Sequence, residues 1–126
     1  MAFLDRVPPR FISACRRTGM RHRLRHADQA FLEVTTPDGT MWQLDLLDIG
    51  SGGVCFGLRE GRPPMEPGME FDRAVVRVSG SAIAGSLAIA HATEEFAAGT
   101  ICGARFRPAT PEDREGLDAL IRTLAS

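Results

Sequence analysis

The chain has no lysine and no tyrosine, and it has one tryptophan. The missing lysine alone fits a GC-rich coding sequence. The shortage of aromatics leaves few platforms on which single-stranded bases could stack. Three cysteines, Cys15, Cys55 and Cys102, lie far apart with no CxxC spacing, and the histidines, His22, His26 and His91, form no HExxH pattern. That argues against a zinc site, and Cys55 and Cys102, in apolar strand-like runs, read as core thiols. No apolar run approaches the ~20 residues that a membrane-spanning helix needs. The N-terminus, MAFLDRVPPRF, is too broken by charge and proline for a signal peptide, so a cytoplasmic location is expected. No nucleophile–base pair, metal spacing or phosphate loop is visible. Gly50-Ser51-Gly52-Gly53 is no nucleophile elbow, because Ile49 stands where GxSxG needs glycine. The expectation is a protein that is not an enzyme.

What is present is arginine, unevenly spread. The net charge of −1 hides two opposed parts. Residues 1–25 hold seven arginines against one acid, a charge of +6, and residues 26–126 hold eight against fifteen, a charge of −7. Arg16, Arg17, Arg21, Arg23 and Arg25 fall within ten residues. Guanidiniums this close repel one another unless solvated or paired with an anion. Their planar forks suit phosphate and the O6/N7 edge of guanine. The other reading is that the arm docks on the acidic surface of its own domain.

Pro8-Pro9 breaks any helix early on, and residues 1–20 read as a flexible basic arm. Residues 21–126 read as a single domain. From Gln29 the pattern alternates with period two. Ala30–Thr35 and Met41–Ile49 form a hairpin across the turn Pro37-Asp38-Gly39. Val54–Phe56, Met69–Val78, Ser81–Ala92 and Thr100–Phe106 are four more strands, the fifth broken or bulged near Gly85. Thr110 can cap a final helix over 111–125, with Pro111 at its first position. Leu117, Leu120, Ile121 and Leu124 form its apolar stripe. Six short strands and one helix predict an all-β fold. It should be a six-stranded antiparallel β-barrel with a C-terminal α-helix, because an open sheet would leave bare edges.

Four segments stand out in order. Arg21-His-Arg-Leu-Arg25 is an RxxxR pair. Asp48-Ile-Gly-Ser-Gly-Gly53 is an acid followed by a glycine-rich turn between strands. Glu66-Pro67-Gly68 precedes a strand, and Ile101-Cys-Gly-Ala-Arg-Phe106 is the last one. Together they resemble the PilZ domain, a family of bacterial cyclic di-GMP receptors whose pattern is RxxxR followed by (D/N)xSxxG. The resemblance covers roughly residues 20–124 and implies a split β-barrel. It also implies a ligand site of Arg21, Arg25, Asp48, Gly50, Ser51 and Gly53, with cyclic di-GMP as ligand, no cofactor and no metal. Gly50 occupies the family's serine position. Ser51 can replace that hydroxyl only if the turn is not regular strand.

Three functions are expected to compete. The first is a cyclic di-GMP receptor whose arm orders over the barrel and signals to a protein partner in motility, pilus or exopolysaccharide control. The second is a degenerate PilZ-like module that binds protein without nucleotide, through the arm and the loop Arg59–Gly68. The third, a single-stranded nucleic acid binder, is disfavoured by the acidic body, so neither DNA nor RNA is an expected partner.

Overall fold

The computed structural model describes residues 21–25, 28–58, 65–95 and 99–125. The expected arm over 1–20, Cys15, His26 and residues 59–64 of the surface loop lie outside them. Seven strands and one helix follow in order: β1 (Arg21–Arg23), β2 (Ala30–Thr35), β3 (Met41–Gly50), β4 (Gly53–Leu58), β5 (Glu70–Val78), β6 (Ser81–Glu95), β7 (Gly99–Pro108) and α1 (Pro111–Ala125). All strand pairs are antiparallel. The sheet order is β1-β3-β2-β5-β6-β7-β4, and β3 also pairs with β4. That extra pairing closes six strands into a barrel and leaves β1 outside the ring. The six strands read from alternation are the six of the barrel.

The barrel interior holds the contiguous core, with Leu32, Val34, Leu44, Phe56, Val76, Ile83 and Leu87 almost wholly buried. Cys102 belongs to this core, whereas Cys55 is buried but lies outside it. The β2–β3 turn is closed by Gly39 at φ 90°. Thr36 Oγ1 and the Thr40 amide both donate to Asp38 Oδ1. Helix α1 starts at Thr110, whose hydroxyl accepts from the Asp113 amide at 3.0 Å and donates to its carboxylate at 2.7 Å. Asp113 Oδ1 also accepts from the Ala84 amide at 3.1 Å, fastening the helix start to β6. Leu117 and Leu120 are buried, with Ile121 and Leu124 packed beside them.

One expectation needs correcting. Strand β6 runs unbroken through Gly85: the irregularity in the pairing beside that glycine lies on β5, between Phe71 and Ala74, and the bulge of β6 itself falls further on, at Ala90 opposite β7. Glycine at 85 serves close approach. A Cβ there would fall 2.3 Å from the Arg107 carbonyl oxygen and 2.7 Å from Phe106 Cζ.

Candidate functional site

The site begins with a bulge. Along β3 the inward residues are Leu44 and Leu46, so plain alternation would turn Asp48 inward too. The register with β4 slips between Leu46 and Asp48, and Ile49 is the next buried side chain. The extra residue, Leu47, therefore re-aims Asp48 to the outer face. The row Ile49–Val54–Ala104–Ile89 lies in the core, and its neighbours alternate outward.

Strand β1 lies beside this bulge. Its register pairs Arg21 with Gly50, His22 with Ile49 and Arg23 with Asp48. Pairing with inward Ile49 puts His22 on the inner side, and pairing with Asp48 puts Arg23 on the outer side. Continuing outward across the sheet, Asp48 pairs with Cys55, Cys55 with Gly103 and Gly103 with His91. The His91 ring lies against Gly103, where a Cβ would fall 2.2 Å from Nε2.

The arginine segment is fastened at its far end. The Leu24 amide donates to the Leu47 carbonyl at 2.9 Å, and Leu24 is buried. The Arg25 amide donates to Asp28 Oδ2 at 2.7 Å. The Asp28 carbonyl accepts from the Ser79 amide at 2.9 Å and from its hydroxyl at 2.8 Å. Arg25 is exposed and falls beyond the last register pair. It lines a cleft of ≈ 950 Å³ with His22, Arg23 and Asp28 on one side and Leu120 and Leu124 of α1 on another. The register thus joins Arg21, Asp48 and Gly50, and it does not join Arg25 to them.

The turn Ser51-Gly52 is a bend between β3 and β4, not regular strand, which meets the condition for Ser51 to serve. Ser51 is exposed, and its carbonyl accepts from Arg114 Nη1 on α1 at 3.2 Å. Left-handed glycines occur at 39, 68, 80 and 99, and Gly50, Gly52 and Gly53 are not among them. Their backbone therefore does not demand glycine by the sign of φ. Gly53 pairs with Arg105, an exposed outer residue that alternation along residues 101–106 does not mark as special. Arg23, which lies inside the RxxxR pair and is not one of its two arginines, is the cross-strand neighbour of Asp48, and Arg25 is not. Strand register alone reveals both.

Chemically the face offers guanidinium donors, one carboxylate acceptor and a turn bare enough for a planar ring to approach. Among the described residues no group of three or more His, Cys, Asp and Glu is placed to hold a metal ion. No helix among them is long and apolar enough to cross a membrane.

No family model matches the chain, and no curated protein sequence matches it. Solved structures do. The MrkH–c-di-GMP complex of K. pneumoniae superposes with a TM-score of 0.76 at 17% identity, covering 87% of this chain and 52% of that one. The PilZ domain of Escherichia coli YcgR with c-di-GMP gives 0.67 at 19% identity, covering 87% and 92%. The Bacillus subtilis inhibitor of motility MotI/DgrA gives 0.67 at 14% identity, covering 86% and 50%. The chain spans about half the length of MrkH and MotI. The PilZ-like fold expected from the sequence is the fold found.

Proposed function

We propose that this chain is a receptor for cyclic di-GMP that signals through a protein partner. The observation that carries the reading is the β1–β3 register, which sets the arginine segment against Asp48 and Gly50. Arg21, Arg23 and Arg25 supply donors for phosphate oxygens or a guanine O6/N7 edge. Asp48 accepts from guanine N1–H and N2–H₂, and Gly50, Ser51 and Gly53 give the base room. Structural neighbours solved with c-di-GMP support the same ligand. The partner belongs to motility, pilus or exopolysaccharide machinery, in the cytoplasm. The role is that of a receptor and not of an enzyme.

Loss of the hydroxyl at position 50 costs about 0.5–1.5 kcal/mol, or roughly two- to twelvefold in affinity, unless Ser51 supplies it. Gly50 is also the observation that favours a second reading, a PilZ-like module that binds protein alone. Alanine variants decide between them. Asp48→Ala and Arg21→Ala should each weaken cyclic di-GMP binding by about tenfold or more. Arg25→Ala should do so as well if the arm closes over the ligand. Variants that all bind as tightly as the wild type would sink the site assignment.

A further inference from the structure

Around the barrel from Gly53, the outer face holds a second group of charges. The next row runs Gly53, Arg105, Ala88 and Glu70 across β4, β7, β6 and β5. Beside it, Arg107 pairs with Ser86. On β5 the irregularity between Phe71 and Ala74 leaves Asp72 and Arg73 both exposed, so Asp72 joins Glu70 outside the barrel. The result is a trough. Its floor is the small residues Ser86 and Ala88, one wall is Arg105 and Arg107, and the other is Glu70 and Asp72. Gly52 of the glycine turn stands at its end. Its volume is ≈ 390 Å³.

The walls rise from strands two spacings apart, about 10 Å between backbones. Opposite charges at that separation can reach across to each other, yet here they do not. Among the described residues, no ion pair or side-chain hydrogen bond engages Arg105, Arg107, Glu70 or Asp72. Donors line one side and acceptors the other, with a slot between. A bare phosphate suits this poorly, because two carboxylates face it. Guanine suits it well, since O6 and N7 accept on one edge while N1–H and N2–H₂ donate on the next. Adenine presents an N6 amino group where the arginines need an acceptor, and its unprotonated N1 would face the carboxylates.

We propose that this trough is a guanine-selective subsite. It continues the ligand face past the glycine turn and receives a second base of the ligand read above, on which reading this step rests. The offset from Asp48 to Arg105 is about 12 Å, two strand spacings and two residues along. The missing side chains at Gly50, Gly52 and Gly53 leave the path between them low.

The test uses two probes on the full chain. Amide shifts are followed by NMR during titration with 5′-GMP and with 5′-AMP. Affinity for cyclic di-GMP is measured for wild type, Arg105→Ala, Glu70→Gln and Asp48→Ala. The subsite predicts shifts at Gly52, Ala88 and Arg105 with GMP and about tenfold less response to AMP. It also predicts that Arg105→Ala and Glu70→Gln each weaken cyclic di-GMP binding by about tenfold, with unchanged melting temperatures. Equal response to GMP and AMP, or none at these amides, overturns it. If Asp48→Ala loses binding while Arg105→Ala and Glu70→Gln do not, the receptor reading stands and the subsite falls. If cyclic di-GMP does not bind but GMP shifts these amides selectively, the receptor reading falls and the trough stands as a mononucleotide site.

Discussion

Truncating Leu24 should loosen the arginine segment without unfolding the barrel. Leu24 is 3% exposed and follows a three-residue strand that lies outside the closed ring. Core Leu→Ala changes cost about 2–5 kcal/mol. Leu24 belongs to a short segment whose neighbours His22, Arg23 and Arg25 line the open cleft beside α1, and such a segment can yield around a truncated side chain, so the lower end applies, about 2 kcal/mol. The barrel's six pairings do not depend on β1, so the loss falls on local detachment. That is a shift of roughly thirtyfold in the docking equilibrium. If docking is favoured by 0 to about 2 kcal/mol in the wild type, apparent ligand affinity falls between about fifteenfold and twofold. Hydrogen exchange at the Leu24 amide reads the docking directly, because that proton is bonded to the Leu47 carbonyl. Calorimetry reads the affinity. Over the same range Leu24→Ala should cut protection at this amide by about twofold to fifteenfold, in the opposite order to the affinity loss, while amides of Leu44 and Val76 hold. Unchanged protection at Leu24, or equal loss throughout the barrel, would mean that Leu24 does not fasten this segment as a local unit.

Two glycine substitutions separate rigid from yielding neighbours. Gly85→Ala meets backbone and should cost about 3 kcal/mol or more by denaturant titration, whereas Gly103→Ala meets a side chain, the His91 ring, and should cost less, about 1–2 kcal/mol. Hydrogen bonds from Thr36 Oγ1 and then from the Thr40 amide hold the Asp38 carboxyl below its ordinary value of 3.8. A depressed carboxylate stabilises the fold above its unfolded pKa and loses that contribution as pH falls through the folded value. Asp38→Asn should therefore flatten the acid side of the stability curve below about pH 4, seen by urea titration at several pH values. Gly50→Ser should hold or improve cyclic di-GMP affinity in calorimetry, and a tenfold loss would mean that the turn needs glycine there.

Alternation was enough to read the barrel, because one face of each of its strands must be apolar. It could not reveal β1, since Arg-His-Arg carries no apolar residue and its pairing is set by what β3 leaves open. The bulge at Leu47 was hidden for a related reason. Leu46 and Leu47 are both apolar, so the change of phase leaves no mark until Ile49. Asp48 and the glycine turn were legible as a motif, whereas the partners of Asp48 were not, because cross-strand register is long-range. Arg105 and Glu70 lie 35 residues apart and meet only through β6. Gly85 was legible as special, but its reason, the Arg107 carbonyl against it, belongs to packing.

The decisive measurement is calorimetry of the wild-type chain with cyclic di-GMP at moderate salt, with GTP as the charge control. A receptor should bind cyclic di-GMP at micromolar affinity or tighter, bind GTP weakly or not at all, and lose the signal in Asp48→Ala. No heat up to high micromolar ligand, confirmed by a second binding assay, would contradict it and leave the protein-binding module as the reading to pursue.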